Sequence, residues 1–164
     1  MARLFLFLSF LLCWVSCAYK FTSAALGPDI KTFYVQNFDN RATNVVPTLA
    51  VTFSERLRDK IRNEMRLRPN NTEPDIELSG YISKYDVTAE APKPGETVAF
   101  NKLTVTVYVE YLNHKDEKKN IKQDFTRFRT FPATSNLLDV QEQLIKEITD
   151  ELLDSIFDVS FNNW

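Results

Sequence analysis

The sequence predicts an α/β fold of the α+β type: a two-layer sandwich with two amphipathic helices on one face of a mixed, mostly antiparallel sheet. In two windows, apolar residues recur at three- and four-residue spacing, which is typical of helices that bury one side. In four other windows, apolar residues alternate with polar ones or β-branched and aromatic residues cluster, which is typical of strands. The predicted order is β-α-β-β-β-α, with about four strands in the sheet.

The first strand and the first helix are predicted to form the first part of a β-α-β crossover. The strand is predicted over Ile30–Phe38, where β-branched and aromatic residues place apolar groups on both faces, as inside a sheet. The helix is predicted to begin at Pro47 and to end before Pro69. We expect the first strand to pair in parallel with a neighbour across this helix, with a right-handed crossover. The apolar stripe of the helix is Val46, Leu49, Ala50, Phe53, Leu57 and Ile61.

Three further strands are predicted in the middle of the chain. Asp75–Glu90 alternates apolar and polar residues and shifts phase near Lys84, which predicts a β-bulge. Asn101–Leu112 alternates cleanly, so one face of that strand is buried and the other is exposed or touches a partner. After the turn NHKDEKKN, Ile121–Phe131 returns as the second strand of a hairpin.

The last predicted element is a helix of roughly 22 residues. Ser135 or Asn136 is its expected N-cap, because both side chains can accept a hydrogen bond from the first turn. Its apolar stripe is Val140, Leu144, Ile145, Ile148, Leu152, Ile156 and Phe157.

The N-terminus is predicted to be a lipoprotein signal peptide over residues 1–16. Arg3 precedes the apolar run Leu4–Val15, which is shorter than the roughly 20 residues that span a bilayer. A small residue before Cys17 resembles the lipobox of bacterial lipoproteins, so we expect Cys17 to be acylated. The alternative is an ordinary secretory signal with a bystander cysteine. Residues 17–28 then form a lipidated tether and residues 29–164 the folded domain.

Charge and aromatic content limit the class of partner. The chain has 20 basic and 22 acidic residues, and no stretch outside short loops keeps a basic surplus. Because nucleic-acid affinity comes largely from neutralised phosphates, we predict no nucleic-acid partner. The 13 phenylalanines instead predict a well-filled core and an apolar contact surface.

Catalytic and metal-binding motifs are not found in the sequence. His114 lies in a charged turn without a second histidine or a cysteine near it, and the three glycines are isolated, so no phosphate loop is predicted. Asp75 and Glu77 could form an acid–base pair on one strand face, although an exposed hairpin edge explains them more simply. We therefore predict no enzyme activity and no cofactor.

The fourth predicted strand carries the candidate binding residues. Lys122, Arg127 and Arg129 supply cations that suit the phosphates and carboxylates of an anionic glycolipid. The alternative is a solvated face whose cations are balanced by acidic neighbours in the same hairpin. The interleaved aromatic residues are Phe125, Phe128 and Phe131.

Several stretches of the chain together resemble one family. They are CAYKFTS, IKTFYVQNFDN, PTLAVTFSERLRDKI, NKLTVTVYVEY and LIKEITDELLDSIFDVSFNNW. In their amino-acid sequence and in their order, these stretches are similar to the lipopolysaccharide-assembly lipoprotein family, its E component (LptE-like). The resemblance covers essentially the whole chain after residue 16.

This resemblance implies a lipoprotein whose acyl anchor, such as palmitate, holds it in the inner leaflet of the outer membrane. It implies two partners: the large outer-membrane β-barrel that inserts lipopolysaccharide, which the lipoprotein plugs and helps to assemble, and lipopolysaccharide itself. It also implies a two-layer sandwich without enzyme activity. The residue after Cys17 is Ala18, not the aspartate that retains some lipoproteins at the inner membrane. An accessory periplasmic lipoprotein of a lipid transporter or secretion system is the alternative function.

Overall fold

A computed structural model of the chain describes residues 26–27, 29–44, 46–91 and 99–162. The signal peptide predicted over residues 1–16, Cys17 and most of the predicted tether lie outside these residues. Their boundaries therefore stay predictions.

Three long antiparallel strands form most of the sheet. They are β4 (Ile76–Glu90), β5 (Phe100–Asn113) and β6 (Ile121–Pro132), and β5 lies between the other two. The register between β4 and β5 shifts between Ile82 and Lys84, which confirms the predicted bulge. The turn between β5 and β6 contains a short 3₁₀ helix, Glu117–Lys119.

Three short strands extend the sheet beyond β4. β1 (Thr32–Val35) and β2 (Asp39–Asn40) both pair in parallel with β4, and β3 (Arg68–Pro69) pairs in parallel with β1. The predicted parallel pairing of the first strand is confirmed. β2 and β3 were not predicted, because an element of two residues is too short to show a period.

Two parallel helices cover one face of this mixed sheet, which confirms the predicted fold class. They are α1 (Leu49–Met65) and α2 (Leu137–Phe157). Arg56 and Lys60 lie one turn apart on α1 and form ion pairs with Asp150 and Asp154, which follow in the same order on α2. Because both pairs keep this order, the two helices run in the same direction.

The helix ends differ in how they are capped. Asn136, one of the two predicted N-caps, accepts a hydrogen bond from the N–H of Leu138 (3.2 Å). Pro47 lies in the turn before α1, so that helix begins two residues later than predicted. At the other end of α1, Arg66 adopts a left-handed conformation (φ 55°) that terminates the helix.

The core lies between the helices and one face of the sheet. Every second residue of β5 from Leu103 to Asn113 is buried, as its alternation predicts. A short π-helix, Asp158–Asn162, follows α2 and places Phe161 edge-on against Tyr111 (ring centroids 5.7 Å apart). Fully buried helix residues that meet the sheet include Leu57, Ile61, Ile148 and Ile156.

Gly80 of β4 lies where Phe38, in the segment after β1, packs against the sheet. A Cβ at this position would lie 2.6 Å from Cε1 of Phe38 and would overlap the carbonyl oxygen of Tyr108 on β5. Glycine therefore allows the Phe38 ring to pack against Phe53 of α1 (centroids 5.1 Å apart).

Asp75 fastens the start of β1 to the start of β4. Its carboxylate accepts hydrogen bonds from the N–H groups of Lys31 and Thr32 and from the Thr32 hydroxyl (2.9 Å each). Burial opposes the charged form, but these bonds and the Lys115 ammonium outweigh it and lower the pKa of Asp75 to about 2. The carboxylate therefore has a structural role here.

We expect Gly80→Ala to lower the free energy of unfolding by about 2 kcal/mol, because the new methyl group forces the backbone of β5 and the Phe38 ring to move. Urea denaturation followed by circular dichroism measures this loss. Ser79→Ala, the next residue along β4, is the control and should change little. Equal midpoints for the two variants would contradict the close packing at Gly80.

We expect Asp75→Asn to flatten the loss of stability in acid. A carboxylate with its pKa lowered from 3.8 to about 2 stabilises the fold above the unfolded-state pKa. That stabilisation, up to about 2 kcal/mol, disappears as the pH falls from about 4 to 2. Denaturation midpoints between pH 2 and pH 7 would test this, with the exposed Glu73→Gln as control. Parallel pH profiles for wild type and Asp75→Asn would contradict it.

Candidate functional site

The sheet face turned away from both helices is the broadest surface that the long strands present. We call it the open face and define it by the side chains of β4, β5 and β6 that alternate with the buried ones. Its central members are Ser79, Tyr81, Thr104, Thr106, Tyr108, Glu110, Lys122, Thr126 and Phe128. These side chains are half-buried or exposed, whereas their neighbours on the helix side are largely buried.

Hydroxyl and aromatic groups dominate the centre of the open face. The rings of Tyr81 and Tyr108 stack across β4 and β5 with centroids 5.1 Å apart, and the guanidinium of Arg41 lies 4.2 Å above Tyr81. The hydroxyls of Thr106 and Thr126 are 2.9 Å apart. The surface is thus largely polar, and it carries charges of both signs.

The three candidate cations of β6 are divided between the two faces of the sheet. Lys122 lies on the open face and forms an ion pair with Glu110 of β5. Arg127 and Arg129 point to the helix side, as do the buried Phe125 and Phe131. The structure therefore brings the two arginines together and separates them from Lys122.

Phe128 is the interleaved aromatic residue that faces outward. Its side chain is 53% exposed on the open face, and the ammonium of Lys102 lies 5.5 Å from its ring centre. Lys102 also forms an ion pair with Glu90 (2.8 Å). Of the three phenylalanines, Phe128 is thus the one with its ring available for contact.

Arg129 connects β6 to α2 through two carboxylates. Its guanidinium donates to Glu151 (2.5 and 3.0 Å) and to Glu147 (2.9 Å). These bonds raise the pKa of Arg129 and lower the pKa of Glu151. The pKa of Glu147 is lowered by a hydrogen bond from Gln143 and then by Arg129. The two glutamates were not predicted as partners of Arg129. Their spacing of four residues, which places both carboxylates on one face of a helix, was the feature of the sequence that could have indicated them.

Arg127 makes a weaker connection to the same helix. Its guanidinium donates to the hydroxyl of Ser155 (2.5 Å), which in turn donates to the carbonyl oxygen of Glu151 (2.7 Å). No carboxylate lies within ion-pair distance of Arg127 among the residues described. Arg127 is therefore less neutralised than Arg129.

β6 is the last strand of the described sheet, so one of its edges lacks a neighbouring strand. The N–H of Ala133 donates to the carbonyl oxygen of Ala99 (2.9 Å), which shows that odd-numbered positions turn their backbone groups toward β5. The even-numbered positions of β6 therefore point their N–H and C=O groups to the free edge.

Both arginines cap this edge. Arg127 donates to the carbonyl oxygen of Thr126 (2.8 Å), and Arg129 donates to that of Phe128 (3.0 Å). Unpaired backbone groups on an edge strand invite strand addition from another chain, and side-chain donors at the edge reduce this risk. The two arginines thus hold α2 and shield the edge at once.

His114, the histidine considered in the sequence as a metal ligand, lies beside a single carboxylate. His114 lies 3.5 Å from Glu77 across the β4–β5 ladder, and both are partly exposed. Within the described ranges, no group of three or more histidine, cysteine or acidic side chains could hold a metal ion. No helix in these ranges is long and apolar enough to cross a membrane.

A family model described as LptE, lipopolysaccharide-assembly, matches residues 30–159. The chain belongs to the LptE lipopolysaccharide-assembly family. This confirms the resemblance drawn from the sequence stretches above. The family is a lipopolysaccharide-assembly component and not a class of enzymes, so the chain is a non-enzymatic lipoprotein of this role. No curated protein matches the chain by sequence.

Solved structures of three bacterial proteins share the fold, each with a TM-score of 0.52. A hypothetical protein from Chlamydia trachomatis is 9% identical, with 82% of this chain and 99% of that chain covered. A minor lipoprotein from Acinetobacter baumannii is 13% identical, with 80% and 94% covered. An uncharacterized lipoprotein B from Nitrosomonas europaea is also 13% identical, with 80% and 81% covered. At these identities the likeness concerns the fold alone.

We expect the double substitution Arg127→Ala and Arg129→Ala to loosen α2 from β6. Removal of the guanidinium groups leaves Glu147 and Glu151 without their cation and exposes two edge carbonyls. Hydrogen exchange should become faster along α2, and the unfolding midpoint should fall. Lys122→Ala, on the same strand but the opposite face, is the matched control. An unchanged exchange rate in α2 of the double variant would refute this role.

Proposed function

We propose that this chain is an outer-membrane lipoprotein, anchored on the periplasmic side, that plugs the β-barrel of a lipopolysaccharide translocon. In this role it helps the barrel to assemble and assists the insertion of lipopolysaccharide into the outer leaflet. The observation that carries the proposal is membership of the LptE family over residues 30–159.

The open face supports a position inside a barrel. The interior of a large outer-membrane barrel is polar and hydrated. A surface of hydroxyls, tyrosines and charges of both signs can form many hydrogen bonds to such a wall. Contact of this kind is broad, so a single substitution on the open face should have a small effect on binding.

Cys17 is the proposed anchor. Each buried methylene of an acyl chain contributes about 0.8 kcal/mol, so two or more chains hold a protein at the membrane almost permanently. From Cys17 to the buried residue Leu26 the chain has enough length to place the domain beside the bilayer or within a barrel mouth.

Arg127 and Lys122, which lie on opposite faces of the edge strand β6, are the proposed glycolipid contacts on either side of its free edge, with Arg129 as their support. Arg127 forms no ion pair in the described part of the chain, and Lys122 is exposed beside a single glutamate. Either side chain can therefore turn to a phosphate while the Arg129 ion pairs stay in place. Arg129 is neutralised by two glutamates, so it contributes mainly by holding the strand in place.

The test of the assembly role is a mild-detergent purification of the tagged full chain from its own membranes. Mass spectrometry should identify a large outer-membrane barrel as the main partner and an acylated Cys17 as the mature N-terminus. Cys17→Ala should abolish acylation and release the protein from the membrane fraction. Recovery with inner-membrane transporter subunits alone would instead favour the accessory lipoprotein of a transporter or secretion system.

The glycolipid contacts require a separate measurement. We expect Arg127→Gln with Lys122→Gln to weaken the binding of purified lipopolysaccharide about tenfold, since two charge-assisted hydrogen bonds are lost. Both substitutions leave the Arg129 ion pairs intact, so the fold should persist. Lys84→Gln with Lys146→Gln, two exposed cations paired with Asp86 and Asp150, is the control because it removes the same two charges elsewhere on the domain. Equal affinities of the double variant and the control would eliminate these residues as contacts.

A further inference from the structure

A cavity of about 410 Å³ lies at the opposite edge of the sheet from β6. It is bounded by the outer side of β1, the end of β3 and the middle of α1. Its polar lining consists of Tyr34, Asn37, Arg58, Arg62 and Asn71. No aspartate or glutamate is among the residues that line it. The cavity is thus positively charged, whereas the groove between the two helices carries charges of both signs.

Arg58 is held in place by two hydrogen bonds to uncharged groups. Its Nε donates to the carbonyl oxygen of Val35 (3.2 Å), and its Nη2 donates to the side-chain oxygen of Asn37. In the described part of the chain no carboxylate pairs with it. The guanidinium is half-buried, oriented and not neutralised, which is how a binding arginine is arranged before its ligand arrives.

The other polar groups of the cavity extend this donor set. Arg62 lies one turn beyond Arg58 on α1, and its ion pair with Asp59 is at the exposed surface of the helix (side chains 58% exposed). Because the oxygen of Asn37 accepts from Arg58, its amide nitrogen is the group left to donate to a ligand. Asn71 supplies a second amide across the cavity.

From this arrangement we propose that the cavity binds a sugar phosphate. The phosphate lies between Arg58 and Arg62, where guanidinium groups offer paired donors to its oxygens. The sugar hydroxyls meet the amides of Asn37 and Asn71 and the ring of Tyr34. The volume is within the range of small-molecule sites, about 300–1,000 Å³.

This site goes beyond the proposed function and does not depend on it. It lies across the sheet from Arg127 and Lys122, and neither of its arginines is among the proposed glycolipid contacts. The same chemistry is present in a free sugar phosphate and in the phosphorylated headgroup of a glycolipid. The probe must therefore be offered in both forms.

The first measurement is isothermal titration of the full chain in detergent with glucose 1-phosphate, and with glucose as the uncharged reference. We expect saturable binding of glucose 1-phosphate and none of glucose. Arg62→Gln, an exposed change that leaves the fold intact, should weaken binding several-fold. Arg58→Gln should weaken it about tenfold through the loss of a fixed, charge-assisted contact. Arg41→Gln removes the same charge just after β2 and should leave the affinity unchanged.

The second measurement mixes the full chain carrying Cys17→Ala, which lacks the proposed acyl anchor, with phosphatidylcholine vesicles that do or do not contain a phosphorylated glycolipid. Retention on glycolipid vesicles that is lost in Arg58→Gln would identify a headgroup as the source of the phosphate. Binding of the soluble sugar phosphate alone would identify a free ligand. Absence of Arg58-dependent binding to either probe, or an equal loss with Arg41→Gln, would overturn the proposal. Neither the titration nor the vesicle measurement requires the barrel, so such a failure would leave the proposed assembly role unaffected.

Discussion

One-sided burial of β5 is the constraint on which the rest of this structure depends. Its odd-numbered side chains from Leu103 to Asn113 are buried against the helices, and its even-numbered ones are only half-buried on the other face. A sheet that buries one face needs one layer of helices and leaves a second face for other contacts. The position of α1 and α2 and the existence of the open face therefore have the same cause.

At both edges of the sheet, arginine side chains donate hydrogen bonds to backbone carbonyl oxygens. On one side Arg127 and Arg129 donate to carbonyl oxygens of β6, and on the other Arg58 donates to a carbonyl oxygen of β1. Each guanidinium satisfies an acceptor that no further strand reaches among the residues described. Arginine suits this task because its several donors can serve the backbone and a second partner together. Arg58 and Arg127, which form no ion pair among the described residues, keep their charge for an anionic ligand, whereas Arg129 is neutralised by two glutamates.

The fold of this protein depends on sequence pattern more than on particular residues. Its structural relatives share 9 to 13% of their residues with it and retain the same architecture. Helical and strand periodicity survive almost any exchange among apolar residues, whereas positions such as Gly80 tolerate few. The roles of charged residues are less transferable, because they depend on which neighbours the packing brings to them.

The sequence by itself determined the fold class, the two helices, the long strands with their bulge, and the family. Periodicity and local sequence similarity can be read from neighbouring residues of the chain, so they need no tertiary structure. It indicated β6 as a basic strand. Only the tertiary structure decided that Lys122 faces away from Arg127 and Arg129, and that Glu147 and Glu151 neutralise Arg129. It alone brought Arg58 and Arg62 to a cavity with β1. Partners distant along the chain leave no periodic signal, so charge pairing and cavities arise only when the layers pack.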